Sequence, residues 1–156
     1  MGTLFRIGEL LDFAVEREEE SYKLYKQLAD TIEKDELKEL FTQLMHEEMT
    51  HKDTYRGMLS AVGGERTPGV AEDDEYGLYL KTLIEQQSNL SAAPPVTANN
   101  VAEVLDYSVG REKDSVLFYV GLKEFVPKKN RSTVEEIIKE EGRHIVKISE
   151  LKSELV

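Results

Sequence analysis

Apolar residues recur at steps of three and four through four long stretches of the chain, the period of a helix with one buried face. The first stretch, about Leu4 to Thr31, puts Leu11, Ala14, Glu18, Ser21, Tyr25 and Leu28 on one stripe. Glu16, Glu19, Glu20, Lys23 and Lys26 fill its other faces. A polar turn at Glu33-Lys34-Asp35 follows, with Asp35 placed to cap a second helix. That helix runs to about Val62 and stops at Gly63-Gly64, with Leu37, Phe41, Leu44, Glu48, His51, Tyr55 and Met58 on its stripe. Two capping signatures, Asn100-x-x-Glu103 and Ser132-x-x-Glu135, open the third and fourth stretches. The third stripe is Val101, Val104 or Leu105, Ser108, Glu112, Ser115, Tyr119 and Leu122, stopped by Pro127. The fourth is Val134, Ile137 or Ile138, Glu141, His144 or Ile145, Ile148 and Leu151 or Lys152.

A long connection separates the two pairs. Its first part, GGERTPGVAEDD, reads as a loop. Tyr76, Tyr79, Leu83, Ile84, Gln87 and Leu90 have helical spacing and predict a shorter helix, which Ser91-Ala-Ala-Pro94-Pro95 cannot continue. The expected fold is therefore all-α: a four-helix bundle in a single domain over residues 1–156. Hairpin one spans about 4–62, the crossover about 63–100 and hairpin two about 101–155.

Each stripe is interrupted by residues that do not belong in an apolar core. Glu48-x-x-His51 puts a carboxylate and an imidazole one turn apart on the buried face, where unpaired charge is costly. The pattern repeats. Glu18-x-x-Ser21-x-x-x-Tyr25 recurs as Glu112-x-x-Ser115-x-x-x-Tyr119, and Glu48-x-x-His51 recurs as Glu141-x-x-His144. With 31 acidic residues in 156, a histidine meets an acid three positions earlier about one time in five, so a single such pair means little. Two pairs, two lone inward glutamates and two matched tyrosines at a near-constant offset mean much more. His46 has no acid three residues before it and falls on another face, which marks it as a surface or edge histidine.

Packed together, the inner faces bring Glu18, Glu48, His51, Glu112, Glu141 and His144 to one level. Hard oxygen donors with one imidazole per ion suit iron or manganese. Two divalent ions would balance four carboxylates, with Glu48 and Glu141 placed to bridge, Glu18 with His51 completing one ion and Glu112 with His144 the other. This is the ligand scheme of ferritin-like di-iron and di-manganese proteins. Tyr25 and Tyr119 lie two turns beyond the lone glutamates, within reach of a carboxylate or simply as packing aromatics.

Composition narrows the function. Cysteine is absent, which excludes disulfides, zinc–thiolate sites and iron–sulfur clusters. A net charge of −11 argues against a nucleic-acid surface. No apolar run is long enough to span a membrane, no signal peptide is evident, and a cytoplasmic location is expected. Neither a Gly-rich phosphate loop nor a Gly-x-Ser-x-Gly elbow occurs, and His46 to His51 is one residue too long for HExxH.

The phrases AVEREEESYKLYKQLAD, HEEMTHKD, REKDSVLFYVGL and EEGRH resemble the rubrerythrin branch of the ferritin-like superfamily over both hairpins. The resemblance implies a non-haem di-iron centre held by Glu18, Glu48, His51, Glu112, Glu141 and His144, with manganese or mixed metal as alternatives. It implies reaction with hydrogen peroxide or dioxygen, and a homodimer or larger assembly. The alternative is a non-catalytic iron-binding or iron-storage protein. Two departures bear on the reaction. Rubrerythrins usually carry a four-cysteine rubredoxin-like domain, so here a peroxidase needs a separate electron-donor protein. They also typically have a further glutamate where this chain has Ser115, which brings the set closer to the symmetric ferroxidase centre of bacterioferritin-type proteins. Tyr76, Tyr79 and Leu83 of the crossover are expected at the bundle end or against a second subunit.

Overall fold

The computed structural model describes residues 3–62, 69–71, 75–88 and 94–155. Four long helices form the bundle: α1 (Ile7–Thr31), α2 (Asp35–Val62), α4 (Val101–Leu122) and α5 (Arg131–Leu155). A shorter helix, α3 (Glu75–Ser88), lies in the crossover. Two short strands, β1 (Thr3–Arg6) and β2 (Gly69–Ala71), pair antiparallel, with Phe5 opposite Val70 and Arg6 opposite Gly69.

Cross-helix contacts fix the course of the chain. Tyr119 meets Glu18 and Tyr25 meets Glu112, so α1 and α4 run antiparallel. His51 meets Glu140 and His144 meets Glu47, so α2 and α5 do too. The order is up-down-down-up, and the crossover must climb the length of the bundle, as a ferritin-like bundle requires. Tyr79, Leu83 and Ile84 of α3 pack on the chain's own core, and the Tyr79 hydroxyl donates to the Leu117 carbonyl at 2.7 Å. Of the three crossover residues expected at an interface, Tyr76 alone stays exposed. Leu90 and Gly63-Gly64 lie outside the described residues.

The predicted stripes are the buried faces. Leu11, Ala14, Leu28, Phe41, Leu44, Leu105, Leu122, Val134 and Ile148 are fully buried. The core divides in two. One apolar cluster joins Leu11, Ala14, Met58, Leu80, Phe118, Leu122 and Val134. The other joins Leu24, Leu28, Phe41, Leu44, Val104, Leu105 and Ile148. Between them runs a polar layer.

Helix starts depart from the sequence expectation. Residues 4–6 do not open α1, because their backbone is taken up by pairing with β2, inside the stretch expected to be a loop. The Arg6 amide instead donates to Glu9 Oε1 at 3.0 Å, tying down the first turn. Asp35 is the first residue of α2 and not its cap, and with Glu36 it puts negative charge at the helix's positive end. Asn100 holds the N-cap position of α4 as expected, but its side chain makes no capping bond: it accepts from the Thr97 amide at 2.8 Å and donates to the Pro95 carbonyl at 2.6 Å. Ser132 lies inside α5, which is fed directly by a 3-10 turn at Lys128–Asn130. α4 stops at Leu122, five residues before Pro127, where the chain tightens to three-residue bonds: the Glu124 amide donates to the Gly121 carbonyl and the Phe125 amide to the Leu122 carbonyl.

Gly121 is where α3 and α4 touch. A Cβ there would meet Leu80 Cδ2 at 2.7 Å and the Tyr79 ring at 3.0 Å. Alanine normally favours a helix over glycine, but Leu80 is fully buried and cannot retreat. Gly121→Ala is expected to destabilise the protein by about 1–3 kcal/mol. Hydrogen exchange should show the loss concentrated in α3, with metal binding unchanged.

Candidate metal centre

The polar layer is built by helical spacing. Glu18 and Glu112 sit near the middle of α1 and α4, while Glu48 with His51, and Glu141 with His144, occupy successive turns of α2 and α5. All six residues are at most 2% exposed. Their ligand atoms form two overlapping groups, Glu18–Glu48–His51–Glu141 and Glu48–Glu112–Glu141–His144, with the atoms of each within 4.8 Å of one another. Glu48 and Glu141 belong to both. His46 is exposed on another face of α2.

Each histidine is held by one nitrogen and turns the other inward. The outer atom, Nε2, bonds to a glutamate of the opposite hairpin: His51 to Glu140, and His144 to Glu47 at 2.5 Å. The inner atom, Nδ1, faces the layer. His51 Nδ1 lies 2.6 Å from Glu141 Oε1 and 3.7 Å from Glu18 Oε2. His144 Nδ1 lies 2.8 Å from Glu48 Oε1 and 3.8 Å from Glu112 Oε1. The tyrosine hydroxyls cross between hairpins as well. Tyr25 donates to Glu112 Oε1, and Tyr119 donates to Glu18 Oε1 at 2.6 Å.

Three residues were missed from the sequence. Glu47 and Glu140 stand directly before Glu48 and Glu141, so each Glu-x-x-His is really Glu-Glu-x-x-His, a doublet repeated in both hairpins. Arg17 stands directly before Glu18, as Arg111 stands before Glu112. Arg17 is buried, and its guanidinium donates to Ser115 Oγ at 2.9 Å and to the Arg111 carbonyl at 3.1 Å. Thus the Ser115 position is occupied by an arginine's hydrogen-bond partner, next to the layer but not in it.

The layer is short of partners in a specific way. Glu18 Oε2, Glu112 Oε2, both oxygens of Glu48 and Glu141, and both histidine Nδ1 atoms are buried without a hydrogen bond. Close contacts such as His51 Nδ1 to Glu141 Oε1 lack hydrogen-bond alignment. Buried polar atoms are nearly always paired, and each unpaired one costs about 1–3 kcal/mol. Here the orphans are carboxylate oxygens and imidazole nitrogens gathered within 4.8 Å of one another in each group, and cations between them would satisfy the set. The outer bonds from Nε2 leave Nδ1 free as the ligand atom, the usual role of a carboxylate behind a metal-binding histidine.

Protonation tells the same story. Burial first, then the charges of Glu112, Glu141 and Glu18, push Glu48 well above the ordinary carboxylate value. Burial and then Glu112 and Glu18 do the same to Glu141. Burial opposes charge on His51, but the close carboxylates of Glu141 and Glu18 prevail and raise it to about 11. Burial and the adjacent carboxylates also keep Tyr25 and Tyr119 protonated, as hydrogen-bond donors must be.

An up-down-down-up bundle with four glutamates and two histidines in a buried layer defines the ferritin-like di-iron carboxylate class. Residues 9–152 match the family model for rubrerythrin, and the chain belongs to that family. A solved structure described as a ferritin-like diiron-carboxylate protein from Thermotoga maritima superposes with a TM-score of 0.74 at 26% identity, covering 100% of both chains. No curated protein matches the sequence. Among the described residues, no helix is long and apolar enough to cross a membrane.

Two predictions follow from the proton positions and the outer bonds. Glu48, Glu141 and His51 hold protons in the folded metal-free chain that the unfolded chain releases near 4.5 and 6.5. Metal-free stability should therefore fall as pH rises above about 4.5, and go on falling towards 11. Urea unfolding at pH 5.5 and 8.5 checks the sign. Glu140→Gln replaces the charged acceptor behind His51 with a neutral amide and should weaken metal binding by about 10–100-fold while leaving the helix content intact, as read by calorimetric titration and circular dichroism.

Proposed function

We propose that the protein is a di-iron oxidoreductase that binds two iron ions in the buried layer and passes electrons to hydrogen peroxide or dioxygen. The observation that carries this reading is the set of orphaned carboxylate oxygens and Nδ1 atoms in two groups sharing Glu48 and Glu141. Glu48 and Glu141 would bridge, with Glu18 and His51 on one ion and Glu112 and His144 on the other. Bound iron would supply the one-electron steps that no side chain here can perform.

The chain's own residues do the rest. Tyr25 and Tyr119 hold Glu112 and Glu18 by donating to one oxygen of each, leaving the other oxygen for metal. Glu47 and Glu140 hold the histidine rings and line a surface cleft of about 240 Å³ with Thr50, Arg143 and Lys147. Reducing peroxide to two waters consumes two electrons and two protons, and this cleft connects the histidine partners to solvent as a proton source. The apolar clusters on either side of the layer keep bulk water away from it. These 156 residues hold no cysteine to bind a second iron that could pass electrons, and in this reading a separate donor protein supplies the two electrons.

The symmetric six-residue set, with Ser115 engaged by Arg17, favours ferroxidase chemistry with dioxygen as a second reading. The working unit in either case is a homodimer in the cytoplasm, and the exposed Leu78 of α3 with Leu117 and Val120 of α4 offers apolar surface for it. Light scattering that shows a many-subunit shell would move the reading to iron storage.

Anaerobic Fe(II) titration of the metal-free protein should reach two irons per chain. Peroxide and dioxygen, added separately, should each produce oxo-bridged ferric absorption, and the faster oxidant identifies the reaction. Glu48→Ala should abolish stoichiometric binding. No uptake by the wild type, or bound iron inert to both oxidants, would sink the proposal.

A further inference from the structure

The two halves of the centre match residue for residue until one position. Arg17 answers to Arg111, Glu18 to Glu112, Tyr25 to Tyr119, Glu47 to Glu140 and His51 to His144. One turn beyond the histidines, Tyr55 stands where the second half has Ile148. Both are fully buried. Ile148 meets the needs of packing alone, and a phenylalanine would do the same at 55. Tyr55 instead adds a hydroxyl that is buried and makes no hydrogen bond. Tyr25 and Tyr119, by contrast, both spend their hydroxyls on carboxylates. An unpaired buried hydroxyl is a loss to the fold unless something absent from the chain completes it.

Its place says what that is. Tyr55 follows His51 on the same face of α2. Its ring lies 5.0 Å from the ring of Tyr119, whose hydroxyl holds Glu18. Burial and then the charges of Glu18, Glu141 and Glu48 keep its phenol protonated, so the hydroxyl retains a proton with which to donate. Those three carboxylates all belong to the group that contains His51.

We propose that Tyr55 donates a hydrogen bond from its hydroxyl to a small exogenous oxygen ligand, of the water, hydroxide or peroxide class, seated in the Glu18–Glu48–His51–Glu141 half of the centre. The two halves are thereby unequal: one carries a donor for an incoming ligand, and the other, backed by Ile148, does not. The inference rests on the di-iron reading, since such a ligand needs a metal to hold it there.

Azide serves as the probe, a small anion with acceptor atoms. Wild type and Tyr55→Phe are loaded with iron, oxidised, and titrated with azide while the azide-to-iron absorption is followed. Iron per chain should be the same in both. Tyr55→Phe should bind azide about tenfold more weakly, the scale of one lost hydrogen bond. Metal-free Tyr55→Phe should melt no lower than wild type, because the hydroxyl has no partner to lose. Equal azide affinity overturns the proposal. So does a lower melting temperature of the metal-free variant, or loss of iron uptake in the variant alone, either of which makes Tyr55 a structural or metal-holding residue. If the wild type takes up no iron, the di-iron reading fails first, before any azide is added, and this proposal falls with it.

Discussion

Four carboxylates confined to one buried layer repel one another, and the rest of the bundle is arranged to contain that repulsion. Without metal, protons must do the work: Glu48, Glu141 and His51 take up charge-cancelling protons that solvent-exposed groups would release. Arg17 brings a buried positive charge to the edge of the layer, held by Ser115 and by the backbone of Arg111. The two apolar clusters then close on either side and supply the burial energy that makes such a layer tolerable.

The same interactions that contain the charge also join the hairpins. Five side-chain hydrogen bonds around the layer cross from one hairpin to the other: Tyr25 to Glu112, Tyr119 to Glu18, His51 to Glu140, His144 to Glu47 and Arg17 to Ser115. Each four-residue group takes three members from one hairpin and one from the other. The centre is therefore the joint of the molecule as well as its chemical site. Order in the ligands and docking of the hairpins are one event.

Much of this is legible in the sequence because helical periodicity is a local signal. The stripes through Glu18, Glu48, Glu112 and Glu141 are the buried faces. What escaped depends on distant partners. Residues 4–6 carry a helix-like pattern, yet pair with Gly69–Ala71 far along the chain. Asn100 has the right neighbour for a cap, but Thr97 and Pro95 claim its side chain first. Glu47 and Glu140 read as ordinary surface acids until the facing helix shows that each stands behind a histidine. Their doubled glutamates were the available signal. Arg17 was hidden for another reason: a charged residue one step off the stripe looks solvated, and only the packing of α1 against α4 encloses it.

The swapped pattern of contacts has a consequence for how the chain is put together. Two separate copies of one hairpin, related by a two-fold axis, would meet the same set of partners. In one chain, the crossover acts as a tether that makes their docking intramolecular and raises their effective concentration. It also lifts a restriction. A symmetric pair of identical hairpins must place the same residue on both sides of the layer, whereas a fused pair can carry Tyr55 on one side and Ile148 on the other. The long connection is what permits a two-fold scaffold to hold a centre with a front and a back.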